Sequence, residues 1–318
     1  MQKTILSKVV LYTALFIFSL SLIKYFTFSV DKENDTYQSS YHENYNIYAL
    51  DIPESLDFSE ENVPLDMADI RERFDRELLV NSYWQSQTLL FIKRSHKYFP
   101  IIEPILKSKG VPDDFKYIAL IESGLSKAVS PSGAAGYWHF LEKTAQEFGL
   151  EVNDEVDERY NLEKSTEAFC DYILKANEKF NNWTLAAASY NMGMSGLKKQ
   201  VDRQKVYNYY DLLLNEETGR YVFRLLAVKE ILESPNKYGF NFRPQDLYKF
   251  YNYKTITINS SIEDMAVFSE ENGINYKILK ELNPWLRQGY LHNSKNKEYK
   301  IKIATEGLYS ISQPGDSL

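Results

Sequence analysis

The first group in this chain able to do chemistry is a single carboxylate among apolar neighbours. Glu122 closes the run Phe115-Lys116-Tyr117-Ile118-Ala119-Leu120-Ile121, which is too apolar all round to be a surface helix and predicts a buried one. Helical spacing puts Ile118 and Phe115 on the face that carries the carboxylate. Burial disfavours the charged form of a carboxyl and raises its pKa, so such a group can deliver a proton near neutral pH. Glutamates are also buried as halves of structural ion pairs with Arg or Lys, and Glu122 alone does not decide between the two roles.

The elements around it must hold that carboxylate in place. Gly110-Val111-Pro112-Asp113-Asp114 reads as a turn that starts the glutamate helix. Upstream, a helical region is predicted from Met67 through Phe91, followed by a second helix from His96 to Lys107. Downstream, Ser130-Pro131-Ser132-Gly133-Ala134-Ala135-Gly136-Tyr137-Trp138-His139-Phe140 breaks the chain at its glycines. A helix from about Tyr137 to Phe148 follows, with Gly149 as its C-cap. Ser165 or Thr166 opens another helix running to about Phe180, Trp183 to Tyr190 forms a short apolar one, and the helix carrying Tyr221, Leu225, Leu226 and Ile231 stops at Pro235. Past Pro244 the pattern changes. Tyr253 to Ile258 alternates like a strand, helices start at Ile262 and Tyr276, the second ending at Pro284, and Glu298 to Ile303 reads as a closing strand.

Composition narrows the function classes. Hydrophobic residues make up 44% and charged residues 25% of 318 positions, which is ordinary for a globular chain with ample core. The net charge of −7 without a basic run argues against nucleic acid as a partner. A single cysteine, Cys170, rules out an internal disulfide framework and reads as core. His42, His96, His139 and His292 are scattered and fit no zinc pattern, and no phosphate-cradling loop occurs, so neither metal nor cofactor is expected. The 25 tyrosines suggest a surface able to stack on sugars or partners.

Residues 1–30 place Lys3 and Lys8 before an apolar run from Val9 to Ile23, broken at Lys24 and resumed to Val30. This predicts an export signal or, on the favoured reading, an uncleaved membrane anchor with the body of the protein outside the inner membrane. Residues 31–65 are polar and without period, as expected of a tether. The predicted organisation is therefore an anchor over 1–30, a linker over 31–65, an all-α domain over 66–240, and a small strand-helix-helix-strand module over 252–305.

Three motifs in order carry a resemblance: Ile121-Glu122-Ser123, the turn ending Gly136-Tyr137-Trp138-His139, and Ala188-Ser189-Tyr190-Asn191-Met192-Gly193. Together with Ala145 to Leu150 and Asp157-Glu158-Arg159 they resemble the lytic murein transglycosylases with a goose-lysozyme-like catalytic domain, over roughly residues 66–235. The C-terminal module, with Leu282-Asn283-Pro284, resembles a LysM peptidoglycan-binding module. The usual Gly-Asp after its first strand is replaced by Asn259-Ser260-Ser261, which leaves glycan binding and simple packing as alternatives. The resemblance implies a mainly α fold, a lysozyme-like all-α domain followed by a βααβ module, with peptidoglycan as the partner. It also implies a lyase that cleaves between N-acetylmuramic acid and N-acetylglucosamine without water and leaves a 1,6-anhydro end.

Glycosidic cleavage usually uses two carboxylates. The resemblance implies the exception, with Glu122 as acid and then base while the muramoyl 6-hydroxyl closes the ring. It further implies that Ser123, Ser130, Gly136, Tyr137, His139, Tyr190 and Asn191 line the sugar site. Four of these have a plainer alternative. Ser123 can cap or pack, Ser130 can be a turn hydroxyl, Gly136 can serve the backbone, and Asn191 can cap a helix end. Trp138 reads more readily as core than as a sugar platform, and Arg159 as a structural ion-pair residue. His139 stands where the family has glutamine and Glu142 where it has proline, so binding strength could differ from the family's. Two other classes remain: a non-catalytic glycan-binding scaffold, and a goose-type lysozyme that hydrolyses.

Overall fold

The computed structural model describes residues 12, 13, 15–19 and 47–306. The few described residues of the amino-terminal stretch are helical; most of the expected anchor and the tether up to residue 46 lie outside the described residues. No helix among the described residues is long and apolar enough to cross a membrane. The chain divides into residues 1–49 and 50–318, and everything below concerns the second unit.

That unit starts earlier than the polar composition of 31–65 suggests. A hairpin of β1 (Asp57–Phe58) and β2 (Glu61–Asn62) turns at Ser59 and Glu60, both at positive φ. Phe58 is fully buried and sits 5.0 Å, ring to ring, from Phe115 at the root of the glutamate helix. Four apolar side chains among many polar ones (Leu56, Phe58, Val63 and Leu65) do the anchoring. Glu61 caps the next-but-distant helix by accepting from the backbone N–H groups of Trp183 (2.6 Å) and Thr184 (2.8 Å), satisfying donors that a helix start leaves open.

Eight helices then build the larger layer: α1 (Ala68–Tyr83), α2 (Gln85–Lys109), α3 (Lys116–Ser123), α4 (Glu142–Glu147), α5 (Leu162–Phe180), α6 (Trp183–Met192), α7 (Met194–Gln204) and α8 (Glu216–Glu233). The break in the first long helical region falls at Trp84, not between Phe91 and His96. His96 lies inside α2, which continues through Pro100 and Pro104 although each proline forfeits a ladder hydrogen bond. The helix expected from Tyr137 begins only at Glu142, because Tyr137 to His139 form a turn closed by His139 N–H donating to Gly136 O at 3.2 Å. α5 starts at Leu162 with Asn161 as side-chain cap, three residues before the expected Ser165. α8 packs along α1, α2 against α5, and α3 is held between α2 and α8. Cys170 is fully buried in α5, and burial pushes its thiol up to about 12.

The carboxy-terminal module has the expected order: β3 (Asn252–Ile258), α9 (Met265–Glu271), α10 (Tyr276–Leu282) and β4 (Tyr299–Glu306), with β3 and β4 antiparallel and Ile256 opposite Ile301. Its small core includes Ile301, Ile303, Met265 and Leu279, but also Ala135, Val156 and Tyr160 from the helical layer. The two layers share backbone hydrogen bonds: Asp157 N–H donates to Trp285 O at 2.9 Å and Arg287 N–H to Glu155 O at 2.7 Å. Ion pairs Lys302–Glu163 (2.5 Å), Lys127–Glu281 (3.0 Å) and Lys297–Glu151 cross the same seam.

Candidate active site

α3 is short and almost wholly buried, with Tyr117, Ile118, Ala119 and Leu120 at 4% exposure or less. It ends in a left-handed Gly124 whose N–H donates to Leu120 O at 2.9 Å, the ending for which glycine is suited. Glu122, in the last turn, is therefore delivered by a helix that cannot shift without disturbing the core. Its side chain is 18% exposed.

Three groups surround that carboxyl. Tyr221, at 2% exposure on α8, donates its hydroxyl to Glu122 Oε1 at 2.6 Å. His139 Nδ1 lies 3.8 Å from Oε2, beyond hydrogen-bond reach. Tyr190 stands close enough for the Glu122 charge to raise its own pKa, and its hydroxyl donates to Trp138 O at 2.7 Å. Burial dominates the electrostatics and raises Glu122 to about 7, against the Tyr221 hydrogen bond and the Arg224 charge, which favour the carboxylate. Near neutral pH this group exists in both protonation states, the condition for giving a proton and later taking one. Burial lowers the pKa of His139, so its contact with Glu122 is not an ion pair at neutral pH. His139 sits at φ +54°, and its Nε2 is buried without a hydrogen-bond partner among the described residues.

The other expected site residues divide into those facing this group and those engaged elsewhere. Ser123 Oγ donates to Tyr137 O at 2.6 Å and lies 3.1 Å from Ala119 O; it staples the glycine-rich turn to the glutamate helix. Ser130 Oγ accepts from Ala134 N–H at 3.0 Å and pairs with Ser132 Oγ at 2.9 Å, so it is used inside its own turn. The Tyr137 ring packs 5.3 Å from Tyr98, on the side away from Ser123 that opens toward the carboxy-terminal module. Asn191 is clasped by α8, its amide donating to Glu217 at 3.1 Å and its carbonyl accepting from Thr218 Oγ1 at 2.7 Å. Trp138 is core: fully buried, stacked 3.7 Å from Phe169, with Nε1 donating to Thr166 at 3.0 Å.

Gly136 has a reason that only the fold displays. At φ +79°, a Cβ there would lie 1.9 Å from the carbonyl oxygen of Arg159. Arg159 in turn grips Asp157 through Nε (2.9 Å) and Nη2 (2.7 Å), and its Nη1 donates to Gly133 O (3.0 Å) and Phe140 O (3.2 Å). Both ends of the turn bearing His139 thus hang from one buried guanidinium. Tyr221 was not singled out as a site residue by sequence: its partner lies 99 positions away and its own helix carries no motif. The available signal was a tyrosine on the apolar face of the helix, with Arg224 one turn on.

The comparisons fall on these same elements. Residues 99–213, which contain Glu122, the glycine-rich turn and Tyr190, match the family model of the transglycosylase SLT domain. Residues 254–307 match the model of the soluble lytic transglycosylase C-terminal LysM-like domain. Two curated relatives, both named membrane-bound lytic murein transglycosylase D, come from Escherichia coli strain K12 and Escherichia coli O6:H1. Each is 29% identical to this chain over 220 residues, covering 67% of this chain and 47% of the relative. The motif pattern resembles this same type. The chain spans about half the length of these relatives. A crystal structure of an inactive mutant of lytic transglycosylase Slt from Pseudomonas aeruginosa aligns at 17% identity with a TM-score of 0.35, over 48% of this chain and 26% of that one. The helical SLT domain and the βααβ LysM-like module agree with the fold class expected from sequence.

Proposed function

We propose that this protein is a peptidoglycan lytic transglycosylase with Glu122 as its one acid and base. The observation that carries the reading is a mostly buried carboxyl with a pKa near 7, fixed by Tyr221 within an SLT domain. Glu122 protonates the oxygen joining N-acetylmuramic acid to N-acetylglucosamine, and the bond from that oxygen to the muramoyl C1 breaks. The resulting carboxylate takes the proton of the muramoyl 6-hydroxyl as its oxygen bonds to C1, so a 1,6-anhydro end forms and no water is consumed. Glu122 ends protonated, ready for the next cleavage. Tyr221 orients the acid and stabilises the carboxylate that exists between the two proton transfers.

His139 and Tyr190 stand at the carboxyl as sugar contacts, while Ser123 and Gly136 hold the turn that presents His139. Ser130, Tyr137 and Asn191 contribute to glycan binding through the surfaces they shape. The protein works on the wall in the bacterial envelope, exported and held at the membrane through residues 1–30; the name of its membrane-bound relatives supports this placement. The role is wall remodelling or turnover. The test is mass spectrometry of soluble products released from peptidoglycan by the purified protein and by Glu122→Gln. Anhydro-muropeptides from the first and none from the second support the assignment. Products one water heavier mean hydrolysis, and glycan bound without any release means a scaffold.

A further inference from the structure

The glycine-rich turn that carries His139 is the support on which the surroundings of the acid hang. Three side chains donate to its carbonyls. Ser123 Oγ, next to Glu122, donates to Tyr137 O, the Tyr190 hydroxyl to Trp138 O, and the Arg159 guanidinium to Gly133 O and Phe140 O. Ser123 and Tyr190 belong to helices of the larger layer, but Arg159 is held from elsewhere. Asp157 grips it, and the Asp157 N–H donates across the seam to Trp285 O of the LysM-like module at 2.9 Å. Val156, beside Asp157, forms an antiparallel bridge with Leu286 of the module, and both are 1% exposed. Ala135, in the middle of the turn, is bridged to Phe140 and packed into the module's own core.

The module holds its side of this contact firmly. Asn283, of Leu282-Asn283-Pro284, is fully buried; its amide donates to Lys302 O at 2.7 Å and its oxygen accepts from Lys302 N–H at 2.8 Å. It thereby fixes to β4 the stretch that presents Trp285 O and Leu286. Charge closes the seam alongside. The helical layer offers Glu151, Glu155 and Glu163, and the module answers with Lys297, His292 and Lys302, the His292 N–H donating to Glu155 Oε2 at 2.7 Å. Opposite charges in such an arrangement fix the register of two surfaces.

We propose that the LysM-like module is a positioning element of the active site: through Trp285 and Leu286 it sets residues 155–159, and through Asp157 and Arg159 it sets the turn that carries His139 beside Glu122. This rests on the reading of the chain as a peptidoglycan lytic transglycosylase. Close-packed contacts transmit a displacement instead of absorbing it, and a misplacement of about 1 Å can cost roughly a hundredfold in rate. The fit between the two segments is tight, since a Cβ on Gly136 would lie 1.9 Å from Arg159 O. This role does not call on Asn259-Ser260-Ser261, the stretch that replaces the usual Gly-Asp of a LysM module.

The test opens the seam in steps within the full chain. Leu286→Ala thins the contact with Val156, Lys297→Glu with Lys302→Glu sets like charges against Glu151 and Glu163, and a triple variant combines them. Amide hydrogen exchange at Asp157 and Arg287, whose N–H groups bond across the seam, measures the opening. The expected result is a kcat on peptidoglycan that falls in step with that exchange, by about tenfold or more in the triple variant, with KM held within about twofold. Adding Glu151→Lys and Glu163→Lys to the two lysine reversals re-forms the charge pairs and should restore both protection and kcat. A kcat that stays level in the triple variant overturns the proposal. So does a rise in KM with kcat held, which would make the module a glycan binder. Loss of protection throughout α3 and α8 also overturns it, because the module would then be ordinary core. Failure of the transglycosylase reading shows separately, as absence of product from the unaltered protein. The NMR signal of the His139 ring, assigned with His139→Gln, still reports in that case whether the turn moves as the seam opens; an unmoved signal overturns the proposal.

Discussion

If Glu122 is held near pH 7 by burial, the protein must carry a pH-dependent stability penalty at its own reactive group, and removing the charge must relieve it. The pKa rises from 4.5 to about 7 on folding. Below pH 4.5 the carboxyl is neutral in both folded and unfolded chains and contributes nothing. Above pH 7 it is charged in both, and the folded state bears the full cost of keeping the charge out of water. Stability is therefore lost as pH rises through the interval between the two values. A shift of roughly 2.5 units corresponds to about 3 kcal/mol. Glutamine has the same shape, keeps an acceptor for Tyr221 and cannot ionise. Glu122→Gln should thus be more stable than the unaltered protein by about 3 kcal/mol at pH 8, and by less than about 0.5 kcal/mol at pH 4.5. For a body of this size the former is a rise of about 5 °C in Tm. The assay is parallel denaturant and thermal unfolding of both proteins at the two pH values, with product release measured on the same samples. Inactive and more stable at pH 8 is the expected pair of results. An equal difference at both pH values, or a less stable variant at pH 8, would refute the claim that the folded state strains against this charge.

Further predictions bear on the groups that hold the site. Tyr221→Phe removes the donor to Glu122 Oε1, so the carboxylate loses stabilisation and its pKa rises by roughly one unit or more; the alkaline limb of kcat/KM should move up by that amount, and an unmoved limb would show that Tyr221 only packs. Gly136→Ala forces a Cβ to within 1.9 Å of Arg159 O at a positive φ; it should cost about 3 kcal/mol or more in chemical denaturation, and a cost under about 1 kcal/mol would mean that the turn yields. Asp157→Ala leaves the buried Arg159 guanidinium without its counter-charge and should destabilise by about 3–5 kcal/mol, whereas replacing the exposed Glu142 with alanine should change stability by less than about 0.5 kcal/mol.

Sequence exposed the parts of this fold that are written locally. Glu122 stands out because six of the seven residues before it are apolar, and Gly149, Gly193 and Pro235 mark real helix ends at the expected places. The module's strands and helices follow from alternation and helix signals within about fifty residues. What stayed hidden depends on long-range pairing. Tyr221 reaches the acid only because α8 packs against α3, and no spacing rule links positions 122 and 221. The ordered hairpin at 57–62 was masked by polar composition, since one buried Phe58 and a few aliphatic side chains suffice to dock it. The break at Trp84 also escaped, because the segment from Met67 to Phe91 holds neither glycine nor proline to announce it. Ser123, Ser130 and Asn191 matched motifs, yet in the fold their side chains are spent on backbone and neighbouring side chains. The motifs name residues near the Glu122 carboxyl, but their spacing does not say which atoms face it.

The backbone pairing of Asp157 and Glu155 with Trp285 and Arg287 has a consequence for how this molecule meets a polymer. A binding module on a loose tether finds its target independently and then raises the effective concentration of its companion domain, the gain depending on linker length. Here the segment between SLT domain and module is itself fastened to α2, with the Tyr248 carbonyl 3.0 Å from His96 Nδ1. There is no slack to tune. A polymer touching both parts would have to match one fixed separation, so avidity would be a question of polymer stiffness and repeat length, as on a gauge with two set jaws.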